Sequence, residues 1–291
     1  MTLHTRILEA RDRLVRAGLA PAEADFDARL LARHVLGWDA ARLLTEQREP
    51  EPPDFAARYD AIVARRAGRE PVAYITGVRE FWGLPFAVSP DVLIPRPDTE
   101  LLVEEAVTEL RDSSAWGSPE RAVIVDVGTG SGCVAISLAR EMPGAFVVAT
   151  DVSPAALQVA RRNAGRLVPE NPPRFVRADM LSGLRLLADV IVSNPPYVRE
   201  GDAPGLTPEV RDREPSPALF GGTDGLVLIR RLLEQAPSRL RPGGRLLFEF
   251  GCGQDDAVEE LISADGRYTI IGIRRDLQGI PRAAVLRVDG R

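Results

Sequence analysis

Asn194-Pro195-Pro196-Tyr197 combines residue types suited to chemistry on a planar nitrogen. Each residue before a proline is driven toward extended conformations, so the segment is stiff and its carbonyls are held at fixed angles. The Asn194 side-chain oxygen and the Pro195 carbonyl can then accept both hydrogens of one NH₂ group. Such a pair orients an amide or aryl amine nitrogen and builds lone-pair character on it as a bond to an electrophile forms. Tyr197 supplies a flat wall. No strong base is required, because the proton becomes acidic only after the nitrogen is alkylated. The segment follows the apolar run Asp189-Val190-Ile191-Val192-Ser193, which places it at the carboxyl end of a strand, where open α/β sheets bind ligands. A second Asn-Pro-Pro, at Asn171-Pro172-Pro173, precedes a strand, lies among polar residues and lacks the aromatic, so it reads as a loop.

Asp126-Val127-Gly128-Thr129-Gly130-Ser131-Gly132 sits where another strand gives way to a helix. Glycines there allow a sharp turn and a close approach to a ligand. The dinucleotide fingerprint needs glycine where this chain has Cys133, so the spacing favours an adenosine ligand without pyrophosphate over a dinucleotide; a plain tight turn is the other reading. Asp151, about 20 residues on, can accept from both hydroxyls of a ribose or can cap the helix from Pro154. Asp179 can accept from an adenine amino group with Met180 packed on the ring, or can serve a turn. Cys133, at a helix start, is either a reactive thiol or a small packing residue.

These positions demand a particular frame. After Arg121 short apolar runs near Val123–Val127, Phe146–Thr150, Phe175–Arg177, Val190–Val192 and Arg245–Phe250 alternate with helical patterns at Cys133–Glu141, Pro154–Gly165 and Gly225–Leu240. That is the pattern of a doubly wound, mostly parallel sheet. Two closing strands, near Tyr268–Ile273 and Ala283–Val288, have no helix between them and predict an antiparallel pair at one edge. Residues 1–70 show helical spacing in Leu3, Ile7, Leu14, Phe26, Leu30, Leu31 and Val35, and predict a small all-helical domain. Residues 71–97 turn to β-type and turn residues and predict a β-hairpin connector; Asp98 is placed to cap a helix through Leu101 and Val107.

Composition narrows the function. The 291 residues are 45% hydrophobic and 27% charged, ordinary for a globular chain of about two domains. Two cysteines and two histidines make a zinc centre or a serine–histidine triad improbable, and no metal is expected. All 37 basic residues are arginine, which removes lysine Schiff-base and P-loop chemistry. A net charge of −5 argues against a sequence-independent grip on nucleic acid. No apolar run is long enough for a membrane span and no signal peptide is visible, so a cytoplasmic location is expected.

With Asn194 to Tyr197 and Asp126 to Gly132, two further segments carry a resemblance: Tyr74-Ile75-x-Gly77 with Glu80-Phe81-Trp82-Gly83, and Leu93-Ile94-Pro95-Arg96-Pro97-Asp98-Thr99-Glu100. Glu214-Pro215, Ala218 to Gly222, Asp224-Gly225-Leu226 and Glu249-x-Gly251 add to it. Together, over about three quarters of the chain, they resemble the PrmC/HemK family of class I methyltransferases. The resemblance implies a Rossmann-like methyltransferase domain over 98–291 with an antiparallel edge strand, behind an N-terminal helical domain that engages the partner. It implies S-adenosylmethionine (SAM) as methyl donor, with S-adenosylhomocysteine as product. The acceptor would be the side-chain amide N5 of the glutamine in the Gly-Gly-Gln loop of class 1 peptide chain release factors, a step in translation termination. Carried over by position, Gly128, Thr129, Gly130, Ser131, Gly132 and Asp151 would hold SAM, with Asp179 and Met180 bordering its adenine. Asn194 would contact both SAM and the glutamine amide, Pro195, Pro196 and Tyr197 would complete the substrate slot, and Phe81, Arg96 and Thr99 would lie beside the SAM pocket. Where some relatives place an aromatic, this chain has Met180, which leaves apolar packing in place of stacking. Of the tryptophans Trp38, Trp82 and Trp116, only Trp82 falls in such a segment.

Other classes meet some of these residues. A nucleic-acid methyltransferase acting on adenine N6 or guanine N2 would use the same acceptor pair on a flipped base, against the net acidity. A dinucleotide oxidoreductase conflicts with Cys133. A non-catalytic module would have no need of the intact loop, acid and Asn-Pro-Pro-Tyr set.

Overall fold

The computed structural model describes residues 1–112 and 122–289; Trp116 lies outside them. In chain order the helices and strands are α1 (Leu3–Arg16), α2 (Pro21–Leu36), α3 (Ala40–Glu46), α4 (Phe55–Ala67), α5 (Val72–Thr76), β1 (Val78–Phe81), β2 (Leu84–Ala87), α6 (Glu100–Asp112), β3 (Val123–Val127) and α7 (Cys133–Glu141). They continue with β4 (Phe146–Asp151), α8 (Pro154–Leu167), β5 (Arg174–Arg177), β6 (Ala188–Ser193), α9 (Pro208–Arg213), α10 (Val227–Gln235), β7 (Leu240–Glu249), α11 (Asp255–Asp265), β8 (Tyr268–Arg275) and β9 (Pro281–Val288). The chain forms two compact units, Met1–Val78 with Thr207–Arg213, and Arg79–Leu206 with Glu214–Arg291. Among the described residues no helix is long and apolar enough to cross a membrane, and no group of three or more His, Cys, Asp or Glu side chains could hold a metal ion.

In the helical unit, apolar side chains at helical spacing bury one face of each of α1, α2 and α4: Leu3, Ile7 and Leu14 pack with Leu31, Phe55, Tyr59 and Val63, whereas Phe26, read from its spacing as part of that face, is exposed. Thr2 and Asp39 cap α1 and α3 by accepting from the amides of Thr5 and Arg42. The Tyr59 hydroxyl donates to the Ala28 carbonyl at 2.8 Å. A buried ion cluster joins α2, α4 and α9. Arg66, with 3% of its side chain exposed, reaches Asp27 at 2.5 Å, Glu209 at 2.6 Å and Glu23 at 2.6 Å, and Arg69 adds a second cation to Glu209 at 2.8 Å. Residues Val72–Thr76, read from the sequence as β-type, form α5 instead. The Pro71 carbonyl accepts from the Tyr74 and Ile75 amides, Ile75 joins the helical core, and Gly77 at φ +73° ends the turn. Burial of these side chains outweighs their strand preference.

In the second unit Trp82 and Gly83, both at positive φ (+53° and +67°), make the tight turn between β1 and β2. Seven strands then build one sheet in the order β5-β4-β3-β6-β7-β9-β8. The first five are parallel, and β9 runs antiparallel to both β7 and β8. The expected doubly wound sheet with an antiparallel pair at one edge is what forms, and β9 is the member that joins the parallel strands. Strand side chains alternate between two cores: Ile124, Val190, Val192 and Leu247 face α6, α7 and α8, while Val125, Ile191, Leu246 and Phe248 face α10 and α11. Strand β7 starts at Leu240, five residues before the expected Arg245, and α10 ends at Gln235 rather than Leu240. Asp98 lies inside the short 3₁₀ turn Pro97–Thr99 that runs into α6, so its carboxylate is not at the cap; it pairs with Arg282 at 3.4 Å.

Candidate active site

Strand order reverses between β3 and β6: the chain leaves β3 for β4 and β5, then returns to β6 on the other side of β3. Ligands of such sheets bind at the carboxyl ends of the strands flanking this point. A cavity of about 380 Å³ opens there, within the range of small-molecule sites. Its walls include Gly128 and Gly130 after β3, Asp151 at the end of β4, Met180 after β5, and Asn194 and Pro195 after β6. The Ser193 hydroxyl donates to the Val127 carbonyl at 2.8 Å and so holds the ends of β3 and β6 together.

The glycine loop has the conformation its composition permits. Gly128, Gly130 and Gly132 lie at φ +76°, +55° and +84°, in the left-handed region that favours glycine. A Cβ on Gly132 would come within 2.9 Å of the Ile136 side chain and 3.1 Å of Ala160. The loop folds back on β4, with the Gly128 and Thr129 amides donating to the Thr150 carbonyl at 2.9 and 2.8 Å. Asp151 accepts from the Gly130 amide at 2.9 Å and the Ser153 amide at 2.8 Å, and burial raises its carboxyl above the ordinary range. The cap of α8 is Ser153, whose hydroxyl accepts from the Ala156 amide, so the capping role open to Asp151 is filled by another residue. Asp179 is exposed and paired with Arg231 at 2.7 Å. Met180 lines the cavity at φ +54°, a strained backbone for a non-glycine residue.

The Asn-Pro-Pro-Tyr segment is held from behind by backbone. The Val198 amide donates to the Leu219 carbonyl and the Val198 carbonyl accepts from the Gly221 amide, each at 2.9 Å, and the Tyr197 carbonyl accepts from Gln254 Nε2 at 3.0 Å. Gly221 and Gly225 let these strands of chain touch: a Cβ on Gly221 would overlap the Pro196 carbonyl, and one on Gly225, at φ +75°, would overlap that of Tyr197. Asn194 Nδ2 donates to Thr99 Oγ1 at 2.9 Å, Thr99 Oγ1 donates to Glu249 Oε2 at 2.7 Å, and the Tyr197 hydroxyl donates to Glu249 Oε1 at 2.9 Å. Thr99 and Glu249 are each 2% exposed. Burial and the adjacent Glu249 carboxylate raise the Tyr197 phenol far above its ordinary range, so it stays a donor.

Not every residue singled out from the sequence reaches the cavity. Gly128, Gly130, Asp151, Asp179, Met180, Asn194, Pro195 and Pro196 line it. Thr129, Ser131 and Gly132 form the buried underside of the loop, Thr129 Oγ1 donating to Asp126 at 2.6 Å. Tyr197 turns its hydroxyl to Glu249. Phe81 is 1% exposed and packs edge-on against Phe86 in the core, because the β1–β2 turn directs it inward. Trp82 serves that turn, its indole N–H donating to Glu141 at 3.0 Å. Arg96 pairs with Glu214 at 2.5 Å, and Glu214 also accepts from the Ile94 amide at 3.1 Å, fixing the stretch that carries Leu93 to the cavity wall. Cys133 is buried and its thiol is pushed up to about 12 by burial, which leaves the packing role. Asn171 donates to the Pro143 and Ala145 carbonyls in a loop. Sequence reasoning gave no site role to Leu93, Pro217, Leu228 or Arg231, which line the cavity, nor to Glu249; only the Glu249-x-Gly251 pattern hinted at the last.

The PrmC N-terminal domain family matches residues 7–77, and the methyltransferase small domain family matches residues 99–207. Several relatives bear the name release factor glutamine methyltransferase. That of Bradyrhizobium diazoefficiens is 43% identical over 290 residues, covering 96% of this chain and 94% of its own. Those of Cereibacter sphaeroides and Burkholderia pseudomallei are 42% and 44% identical, each covering 95% of this chain and 95% of its own. A solved methyltransferase from Pyrococcus furiosus shares the fold, with a TM-score of 0.53 at 21% identity over 81% of this chain and 100% of that one. Identity of this order along nearly the whole length, with a Rossmann-like methyltransferase sheet that follows a helical N-terminal region in the chain, means that the chain belongs to the family of release factor glutamine methyltransferases.

Proposed function

We propose that this chain uses SAM to methylate the side-chain amide nitrogen, N5, of the glutamine in the Gly-Gly-Gln loop of class 1 peptide chain release factors. The observation that carries the reading is the Asn194 side chain at the cavity wall: its nitrogen is committed to Thr99, which leaves Oδ1, beside the Pro195 carbonyl, to accept from a substrate NH₂. The names borne by the full-length relatives support the same acceptor.

The cavity suits SAM in size and lining. Gly128 and Gly130 present backbone without side chains, Asp151 keeps lone pairs for hydroxyl groups beyond its two backbone donors, and Met180, Val152 and Leu228 offer apolar contact. When bound, SAM supplies an electrophilic methyl on a sulfonium. Gly128, Gly130 and Asp151 would hold it, with Thr129, Ser131 and Gly132 supporting the loop from beneath and Asp179 and Met180 at the adenine; Asp179 would share its carboxylate with Arg231. Asn194 and the Pro195 carbonyl orient the acceptor amide and bind its two hydrogens more tightly as the nitrogen gains positive charge, while Pro196 and Tyr197 shape the slot. Rate gain comes from positioning and preorganised acceptors. The helical domain, residues 1–70, would engage the factor, and the work would be done in the cytoplasm beside the translation machinery.

Methyl transfer from labelled SAM to a purified unmethylated release factor tests this, run beside a factor whose Gly-Gly-Gln glutamine is replaced and beside bulk RNA and DNA. Label on the intact factor alone is expected. Label on nucleic acid would favour a base amino group as the acceptor, and equal label on the glutamine-less factor would reject the assigned residue.

A further inference from the structure

The side chains behind Asn194 form a chain whose direction is dictated by one carboxylate. A threonine hydroxyl carries a single proton. Glu249, when ionised, only accepts, so the hydroxyls of Thr99 (2.7 Å) and Tyr197 (2.9 Å) both spend their protons on it. The Thr99 oxygen is then able only to accept from Asn194, at 2.9 Å, and the Asn194 amide must present NH₂ to Thr99 and oxygen to the opposite side. A neutral group in place of the carboxylate can itself donate and no longer compels both hydroxyls to point at it, which makes the Thr99 proton available to the Asn194 oxygen. The amide could then turn over and offer a donor where the acceptor nitrogen needs a lone pair.

We propose that Glu249 and Thr99 are positioning residues: together they lock the Asn194 amide in the one orientation that accepts from a substrate NH₂, and Glu249 fixes the Tyr197 ring through the same carboxylate. The proposal rests on the reading of Asn194 as the acceptor of the substrate amide. The elements involved converge from distant parts of the chain: the turn before α6, the end of β6 and the end of β7. Around Glu249 the charged neighbours are Asp98 on that turn and Arg282 on β9, which pair at 3.4 Å, and Arg282 also meets Asp276 at 3.1 Å. Burial raises the Glu249 carboxyl; Thr99, Tyr197 and Arg282 hold it down and Asp98 adds to the rise. Protonation of Glu249, which its burial favours, therefore undoes the lock.

The test measures kcat on a release factor, SAM affinity by calorimetry and thermal unfolding for Thr99→Val, Thr99→Ser, Glu249→Gln, the Thr99→Val/Glu249→Gln pair and Asn194→Ala. Thr99→Val and Glu249→Gln are expected to lower kcat on the order of tenfold to a hundredfold, as misplaced catalytic groups do, with SAM affinity changed far less. The pair should be no worse than the poorer single variant, since both break one unit. Thr99→Ser should recover most of the loss, and the acid limb of the wild-type kcat profile should be missing in Glu249→Gln. Wild-type turnover in Thr99→Val, or a Thr99→Val loss that Thr99→Ser fails to recover or that SAM affinity shares equally, would overturn the lock. If Glu249→Gln does not fold, the Thr99→Val and Thr99→Ser comparison decides alone. Asn194→Ala separates the two failures: undiminished turnover there removes the acceptor reading itself, whereas an inactive Asn194→Ala beside a fully active Thr99→Val removes only the lock.

Discussion

Asp126, the penultimate residue of β3, is 2% exposed, and burial pushes its carboxyl up to about 7 from 3.8; the Thr129 hydroxyl pulls it down in part, and Asp151 nearby adds to the rise. The folded chain therefore keeps a proton on Asp126 through a range in which the unfolded chain has lost it. Folding takes up that proton, so this residue's contribution to stability falls as pH rises from about 4 to about 7. Asp126→Asn, a neutral side chain of the same shape that still accepts from Thr129, should escape this loss. Denaturant unfolding at pH 5 and pH 8 should show the variant gaining on the wild type by on the order of 2 kcal/mol across the interval. A constant difference would mean that the carboxyl is already ionised in the folded protein. The same position shows why the loop begins with a short acid: its carboxyl anchors Thr129 under the turn while the glycines on either side face the cavity.

At the scale of elements, two devices hold loops in place by opposite physics. Around Asn194 to Tyr197 the device is close approach, since Gly221 meets the Pro196 carbonyl with no room for a methyl group. Gly221→Ala should displace the segment, costing about 1–3 kcal/mol as overpacking does and lowering kcat by more than tenfold. Unfolding and turnover measured on one preparation check both. In the helical unit the device is charge. Among the described residues Arg66 alone pairs with buried Asp27, and it shares Glu209 with Arg69, so Arg66→Met leaves carboxylates buried and short of partners. A loss of about 3–5 kcal/mol is expected in denaturant unfolding. Arg66→Met combined with Asp27→Leu should recover part of that loss, because it removes one of the stranded charges together with its partner. A double variant worse than the single would show that packing, and not the stranded carboxylate, accounts for the effect.

For the molecule as a whole, net charge and acceptor class are linked. A net charge of −5 over 291 residues disfavours the counterion release on which a sequence-independent grip on a nucleic-acid backbone rests. Fluorescence anisotropy at 0.15 M salt should show no saturable binding of duplex DNA or bulk RNA, and added RNA should leave methyl transfer to a release factor unchanged. Tight, steeply salt-dependent binding would move the acceptor toward the bases, whose exocyclic NH₂ the same Asn194 and Pro195 oxygens could take. Signals written within a few residues of one another were readable in advance. The alternation of apolar runs and helices predicted the sheet, because strand and helix periodicities are local. The glycine spacing predicted the loop because left-handed backbone at Gly128, Gly130 and Gly132 is a property of single residues. The stiffness of Asn194 to Tyr197 follows from proline alone. Tertiary structure decided what depends on distant partners. It made Val72–Thr76 helical by burying Ile75, and it sent Phe81 into the core and Arg96 to Glu214. It paired Arg66 with Glu209, 143 positions away, and brought Thr99 to Glu249 across 150. Backbone preference and periodicity act over a turn or two of chain and so are written in sequence, whereas a hydrogen bond or ion pair acts only over about 3–4 Å of space and exists only once folding has chosen its neighbours.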